Sequence, residues 1–238
     1  MELNNKNCFI SGATGGLGIE IAREFAKKNC NLFLTASKSE KLSKLTKQLK
    51  ENNQDIKIYY KKGDLTSLND LKNITYNVKD RMGSIDILIN NAGIFPVKFL
   101  KDTSIDEYQQ CFDINVRAPI FFIKEFAKGM VKKKKGDIVN IISSSAYNGF
   151  KKTSIYCASK HALLGFSRSM FQELKDENIR VFSVSPGSIK TNIGRKVENQ
   201  NYKTFLDPKE ISRFVVELIK IERNMIVDEV RLNRMVIK

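Results

Sequence analysis

Seven short runs of branched and aromatic apolar residues, separated by longer segments of helical period, leave few folds open to this chain. The runs fall at residues 7–11, 31–35, 56–60, 85–90, 137–143, 180–185 and 225–230. Strands that are apolar on both sides are buried on both sides, which requires a parallel sheet with helices over each face. The intervening segments agree. Ser67 with Asp70 and Ser104 with Glu107 have the spacing of a capped helix start, as does Asp207 followed by Pro208 and Glu210. Leu42, Leu45 and Leu49 share one helical face, and Phe214, Leu218 and Ile221 share another. The fold expected is α/β, a doubly wound seven-stranded parallel sheet. With no repeat, linker or low-complexity tract, residues 1–238 are read as one domain.

Directly after the first run stands Ser11-Gly12-Ala13-Thr14-Gly15-Gly16-Leu17-Gly18, and a helical pattern begins at once. Glycines let the backbone turn sharply, approach a pyrophosphate and pack the helix onto the sheet, while the free amides of the helix N-terminus face the anion. The loop lacks the Lys-Ser/Thr pair of a nucleoside triphosphate cradle. A dinucleotide is therefore the expected ligand, and the sheet is read as a Rossmann fold. After the second run comes Thr35-Ala36-Ser37-Lys38-Ser39. No carboxylate is present there to bond a ribose 2′-hydroxyl and repel a 2′-phosphate, whereas Ser37 and Lys38 offer a hydroxyl and a cation. NADP(H) is the preferred cofactor and NAD(H) the alternative. The competing local reading is that Lys38 and Ser39 only open the next helix, with Ser39 as its cap.

Tyr156-Cys157-Ala158-Ser159-Lys160 opens a helical pattern that runs to about residue 178. A spacing of four puts the phenol and the ammonium on one face, with Cβ atoms roughly 5 to 6 Å apart. A free phenol titrates near about 10, and the adjacent cation is expected to pull it toward neutrality. Tyr156 could then donate a proton to a carbonyl oxygen and recover it in reverse. The run 137–143 passes into Ser143-Ser144-Ser145, three hydroxyls at the carboxyl edge of the sheet where open α/β proteins bind ligands. Asn90-Asn91-Ala92-Gly93 ends another run, and Asn115 lies within the helical pattern 105–130, where a capping or kinking amide is the local explanation.

Residues 11–18, Gly63-Asp64-Leu65-Thr66, residues 90–93, Asn115, the serine strand, residues 156–160 and Pro186-Gly187-Ser188-Ile189-Lys190-Thr191 together resemble the short-chain dehydrogenase/reductase family, in order, from residue 7 to about residue 192. The resemblance implies hydride exchange between a nicotinamide dinucleotide and a carbonyl or secondary alcohol, with Asn115, Ser143, Tyr156 and Lys160 as the catalytic set. Ser143, favoured over Ser144 by its interval to Tyr156, would orient the substrate oxygen. Lys160 would bond the nicotinamide ribose, and Asn115 would hold a water linking Lys160 to solvent. Cofactor contacts are implied for Gly12, Thr14, Gly15, Gly16, Leu17 and Gly18, for Asp64 and Leu65 beside the adenine, and for Asn91, Ala92 and Gly93 on the adenosine ribose side. Pro186, Gly187, Ile189 and Thr191 complete the set, the last two at the carboxamide. Similarity to 3-oxoacyl-acyl-carrier-protein reductases adds a carrier-bound carbonyl to small-molecule substrates. A non-catalytic dinucleotide sensor is the rival from another class, opposed by the intact catalytic set. A homodimer or homotetramer is the family expectation, and Leu163, Phe166, Met170 and Phe171 around more than one helix face agree with it. Two departures stand out: Ser11 replaces a common threonine, and residues 225–234 contain no glycine where many members have a glycine-containing turn.

The net charge of +15 raises nucleic acid or an anionic surface as partners. The lysines are dispersed, however, and the densest run, residues 132–135, sits where a helix ends before Gly136 and complements its dipole. It lacks the interleaved aromatics of a single-strand binder, so no nucleic acid is expected. No window approaches the roughly 18 apolar residues of a spanning helix and the first residues lack the apolar core of a leader, so no membrane association and a cytoplasmic location are expected. Four scattered cysteines, Cys8, Cys30, Cys111 and Cys157, and a single histidine, His161, read as buried thiols and a packing ring with no metal. The polar stretch 192–206 reads as a flap near a site.

Overall fold

The computed structural model describes residues 2–197, 200–222 and 224–235. Among these, β1 (Asn7–Ser11), β2 (Asn31–Ala36), β3 (Ile58–Lys62), β4 (Ile87–Asn90), β5 (Gly136–Ile141), β6 (Ile179–Pro186) and β7 (Glu229–Leu232) form one sheet in the order β3-β2-β1-β4-β5-β6-β7. Every pairing is parallel. The order reverses between β1 and β4, and a cleft opens at the carboxyl end of that junction.

Period-two alternation divides the core. Cys8, Ile10, Leu32, Leu34, Ile87 and Ile89 face α1 (Gly16–Lys27), α2 (Ser39–Asn52) and α7 (Pro208–Lys220). Phe9, Phe33 and Leu88 face the opposite layer, built by α3 (Leu68–Met82), α5 (Ala118–Lys133) and α6 (Ser154–Leu174). There the Phe9 ring lies 4.8 Å from Phe122 and 5.1 Å from Phe126, a contact that adds to their area burial. The expected caps form: Ser67 accepts from the Asp70 amide, Ser104 and Glu107 make a reciprocal capping box, and Asp207 accepts from the Lys209 amide ahead of Pro208. Lys132 and Lys133 occupy the last turn of α5, which ends on left-handed Lys134. No helix of the described residues is long and apolar enough to cross a membrane.

Four readings of the sequence are corrected. The strands β3 and β7 lie later than the apolar runs 56–60 and 225–230, because pairing with the neighbouring strand sets register, and β7 pairs Glu229 to Leu232 with Ser183 to Pro186. Strand β5 stops at Ile141, so Ser143 stands beyond it. The inner face of α7 is Ile211, Val215, Leu218 and Ile219, and Phe214 is 37% exposed. The pattern 105–130 is not one helix: α4 (Ile105–Phe112) passes through a π turn, Asp113–Arg117, into α5.

One ion pair is buried in the sheet. Arg180 on β6 donates to Asp137 on β5 at 2.7 Å and to the Ile219 and Ile221 carbonyls at the end of α7, at 2.6 and 2.8 Å. Replacing Arg180 with Met leaves a buried carboxylate and open helix carbonyls, and is expected to lower unfolding free energy by about 3 to 5 kcal/mol in urea titrations. The Arg180→Met/Asp137→Leu pair is expected to cost less than the single change, because the buried carboxylate is removed together with its cation.

Candidate active site

The cleft encloses about 840 Å³ and is lined by loops following β1, β2, β3, β4, β5 and β6. Its first wall is the glycine loop. Gly12 has φ +64°, and a Cβ there would lie 2.7 Å from the Ala92 Cα. A Cβ on Gly18 would lie 2.2 Å from the Gly12 carbonyl oxygen, so the helix can seat this closely only on glycine. Gly15 caps α1 without a side chain, and no acidic residue occupies the first turn. The first-turn amides and the helix dipole therefore face the cleft with no side-chain acceptor of their own, a cradle that fits a pyrophosphate. Thr14, Gly16 and Leu17 complete this wall.

Beyond it, Ser37 and Lys38 line the cleft at the end of β2. Lys38, not Ser39, is the N-cap of α2, and it makes no side-chain cap bond, so the local alternative of a Ser39 cap is not realised. Lys41, one turn further along α2, joins the lining. Its place follows from i, i+3 spacing once the helix start is known. Asp64 and Leu65 line the same end, with the Asp64 carboxylate held back by the amide and hydroxyl of Thr66. Asn91, Ala92 and Gly93 form the floor, and Pro186, Gly187, Ile189 and Thr191 also line the cleft, with Thr191 close against Gly16.

At the centre stand Ser143, Tyr156 and Lys160. Ser143 heads a short 3-10 turn, Ser144–Ala146, and accepts from the Ser145 amide at 3.1 Å. Of the three serines after β5, Ser143 is the one whose hydroxyl acts on the phenol of Tyr156, favouring its ionised form. The Phe95 ring packs edge-on against Tyr156 at 4.6 Å. Lys160 is 4% exposed and donates to the Ile141 carbonyl at 3.0 Å, with its ammonium 5.8 Å from the centre of the Tyr156 ring.

The expectation that this ammonium lowers the phenol is corrected. Tyr156 keeps part of its surface open to the cleft, but the protein packed around it withdraws it from bulk water and pushes it up to about 12, against a smaller lowering by the nearby Ser143 hydroxyl. The same withdrawal drives Lys160 down to about 8. Desolvation penalises whichever form is charged, so the two groups move in opposite directions.

Asn115 differs from the rest in lying behind the cleft rather than in its lining. It is fully buried on the π turn, where the Ala118 amide bonds the Asp113 carbonyl five residues back. Its Oδ1 accepts from the Ile94 amide at 2.9 Å, and its Nδ2 donates to the Ile94 carbonyl and the Ser159 hydroxyl at 3.0 Å each. The side-chain amide is thus committed to binding the loop after β4 to α6. Four residues on is Pro119, which has no N–H, so the Asn115 carbonyl lacks its ordinary helical donor. That proline was a signal in the sequence. His161 is exposed, its Nδ1 2.8 Å from the Cys157 carbonyl, and is not the packed ring expected of it. All four cysteines are buried free thiols.

Of the flap expected at 192–206, residues 198 and 199 lie outside the described residues. It carries two 3-10 turns, Gly194–Lys196 and Tyr202–Thr204, and a bridge between Ile189 and Leu206. Arg234, in the tail, donates to Gln200 at 2.7 Å and Thr204 at 3.1 Å and lies 5.0 Å from the centre of the Phe205 ring. Gln200, Ile193 and Lys196 face the cleft from the flap; Phe95, Phe150 and Lys151 face it from other loops. Sequence reasoning missed these six, since no motif marks a side chain that meets the site only through loop folding.

Residues 6–202 match the family model for short chain dehydrogenase. The chain is 31% identical to a 3-oxoacyl-acyl-carrier-protein reductase of Buchnera aphidicola subsp. Baizongia pistaciae, over 97% of this chain and 96% of that protein. It is 34% identical to a 3alpha-hydroxysteroid dehydrogenase of Mediterraneibacter gnavus, over 81% of this chain and 77% of the relative. Among solved structures, a metagenomic short-chain oxidoreductase in complex with NADP superimposes with a TM-score of 0.87 at 25% identity, covering 99% of this chain and 100% of that one.

Proposed function

Since the chain belongs to the short-chain dehydrogenase family, and so is an NAD(P)-dependent oxidoreductase of carbonyl and alcohol carbons, we propose that it is an NADP(H)-dependent reductase with Tyr156 as the proton donor. The observation that carries this reading is the phenol of Tyr156, lining one cleft with Ser143 and buried Lys160 and with the open N-terminus of α1.

The first-turn amides of α1 would hold the pyrophosphate, and Ser37, Lys38 and Lys41 the 2′-phosphate. The NADP complex of the metagenomic relative supports that choice. A bound nicotinamide dinucleotide supplies the hydride for a carbonyl carbon. Ser143 donates to the carbonyl oxygen and orients it, while Tyr156 delivers the proton. A phenol held up to about 12 is protonated at neutral pH, which equips the site for reduction; taking a proton from an alcohol requires a higher pH. Protonated Lys160 balances the negative charge left on the phenol oxygen. The Asn115 carbonyl is the place for a water connecting Lys160 with solvent.

The catalytic unit is read as one domain, assembled as a homodimer or homotetramer, for which the half-buried Phe166, Met170 and Phe171 of α6 offer apolar surface. Reduction of a carrier-bound 3-oxoacyl group is a second reading, favoured by the Buchnera relative.

Tyr156→Phe is expected to cut kcat/KM for carbonyl reduction by about 10² to 10⁴, in NADPH absorbance assays, while fluorescence titration still detects NADPH binding. In the parent, kcat/KM for reduction should be level below neutrality and decline above about pH 8, as Lys160 loses the proton whose charge supports the phenolate. A profile without that decline would contradict the role given to Lys160. Lys38→Glu should raise the NADPH Kd about tenfold or more and move the NADH Kd far less, since only the former carries the 2′-phosphate.

A further inference from the structure

The charge of the cleft lining bears on the kind of carbonyl compound it takes. Among the described residues, six lysines line it, Lys38, Lys41, Lys151, Lys152, Lys160 and Lys196, against one carboxylate, Asp64. Lys38, Lys41 and Asp64 belong to the end formed after β2 and β3, and Lys160 is tied to the Ile141 carbonyl. The others stand on the two loops that border the opposite end, one following β5 and the other following β6.

Among the described residues, neither Lys151 nor Lys196 has a carboxylate partner. The Lys151 ammonium rests 5.6 Å from the centre of the Phe99 ring. That of Lys196 makes a long approach, 3.5 Å, to the Phe95 carbonyl. Nearby Lys98, in contrast, is paired with Glu107. Because the Phe95 ring packs on Tyr156, the Lys196 cation is held by the residue that covers the phenol. The same two loops also bring apolar side chains to the cleft. Phe150 and Ile193, one on each loop, remain 50% and 46% exposed, and Val97 and Val197 also line the cleft. Large exposed apolar side chains facing a cleft suit an apolar ligand segment. Lysine ammoniums at its edge favour an anion and disfavour a cation.

Resting on the reading of this site as a carbonyl reductase, we propose that its substrate is an anionic carbonyl compound. A short apolar segment places the carbonyl at Tyr156 and lies against Phe150 and Ile193, and a carboxylate or phosphate at its far end pairs with Lys196 and Lys151. The step itself is ordinary reduction: hydride adds to the carbonyl carbon, the proton from Tyr156 adds to its oxygen, and the anionic group does not react.

The test uses the full chain with saturating NADPH and two matched pairs, 4-oxopentanoate with its methyl ester and 4-oxopentyl phosphate with 5-hydroxypentan-2-one, beside a panel of neutral diketones. At least one anion is expected to exceed its neutral counterpart in kcat/KM by about tenfold, with the advantage eroded by added salt. Which pair shows it distinguishes a carboxylate from a phosphate. In Lys151→Gln/Lys196→Gln, shown to be folded by its NADPH affinity, the anion-to-neutral ratio is expected to collapse to within about twofold. Neutral compounds reduced as well as both anions would overturn the proposal and leave the reductase reading standing. A preference that survives in the double variant would overturn the assignment to these lysines. Binding of NADPH with reduction of none of the carbonyls would overturn the reductase reading and the proposal with it.

Discussion

The cleft depends on an interlock between the ends of β1 and β4. The Ser11 hydroxyl accepts from the amides of Asn91 and Ala92, both at 3.1 Å, and the Asn91 side chain donates to the Ser11 and Gly12 carbonyls at 3.1 and 3.0 Å. These four bonds join the two strands where the sheet order reverses, and hold the glycine loop against the floor of the site. Each is worth about 1 kcal/mol when made, and leaving its buried donor unpaired costs more. The serine in place of a threonine keeps the one atom that the interlock uses. Gly12 can then take its left-handed turn with Ala92 pressed against it, and the N-terminus of α1 is left facing the cleft.

Withdrawal from water governs the chemistry at the other end of that floor. It raises Tyr156 and lowers Lys160, so near neutral pH the pair rests with the phenol protonated and the ammonium close to its own midpoint. Such a pair is set to give a proton and then to stabilise what remains. The π turn contributes from behind. By pointing Asn115 at both backbone groups of Ile94 and at Ser159, it fixes the loop that carries Phe95 and the helix that carries Tyr156 in one frame.

The substrate end is built differently, from side chains on loops. In a tail without glycine, Arg234 grips Gln200 and Thr204 of the flap, and Arg231 stacks over Tyr147 with 3.6 Å to the ring centre. Glu229 receives Tyr147 at 3.0 Å and Arg168. Strand β7 and the flap thereby stabilise one another, and the loop after β5 is tied to the same edge.

Local physical chemistry was enough to make much of this legible from residue order. Apolar runs with helices between them required a parallel sheet with two covered faces, and capping pairs such as Ser104 with Glu107 located helix starts, because each depends on residues a few positions apart. The glycine loop, the serine run at residues 143–145 and the Tyr156 to Lys160 spacing were visible for the same reason, while the choice of Ser143 within the run came from the family resemblance. What the chain could not disclose locally came from its long-range packing. Register on the neighbouring strand moved β7, and lateral contacts chose which face of α7 is buried. The pKa direction at Tyr156 reversed because desolvation depends on everything packed around the ring, whereas sequence spacing shows only the nearest cation. Lys196, Phe95 and Phe150 entered the site through loops whose paths are set by distant partners. Residue order thus determined the scaffold and its motifs, while tertiary packing decided their protonation and the surface offered to a substrate, because burial and loop closure are properties of the whole fold.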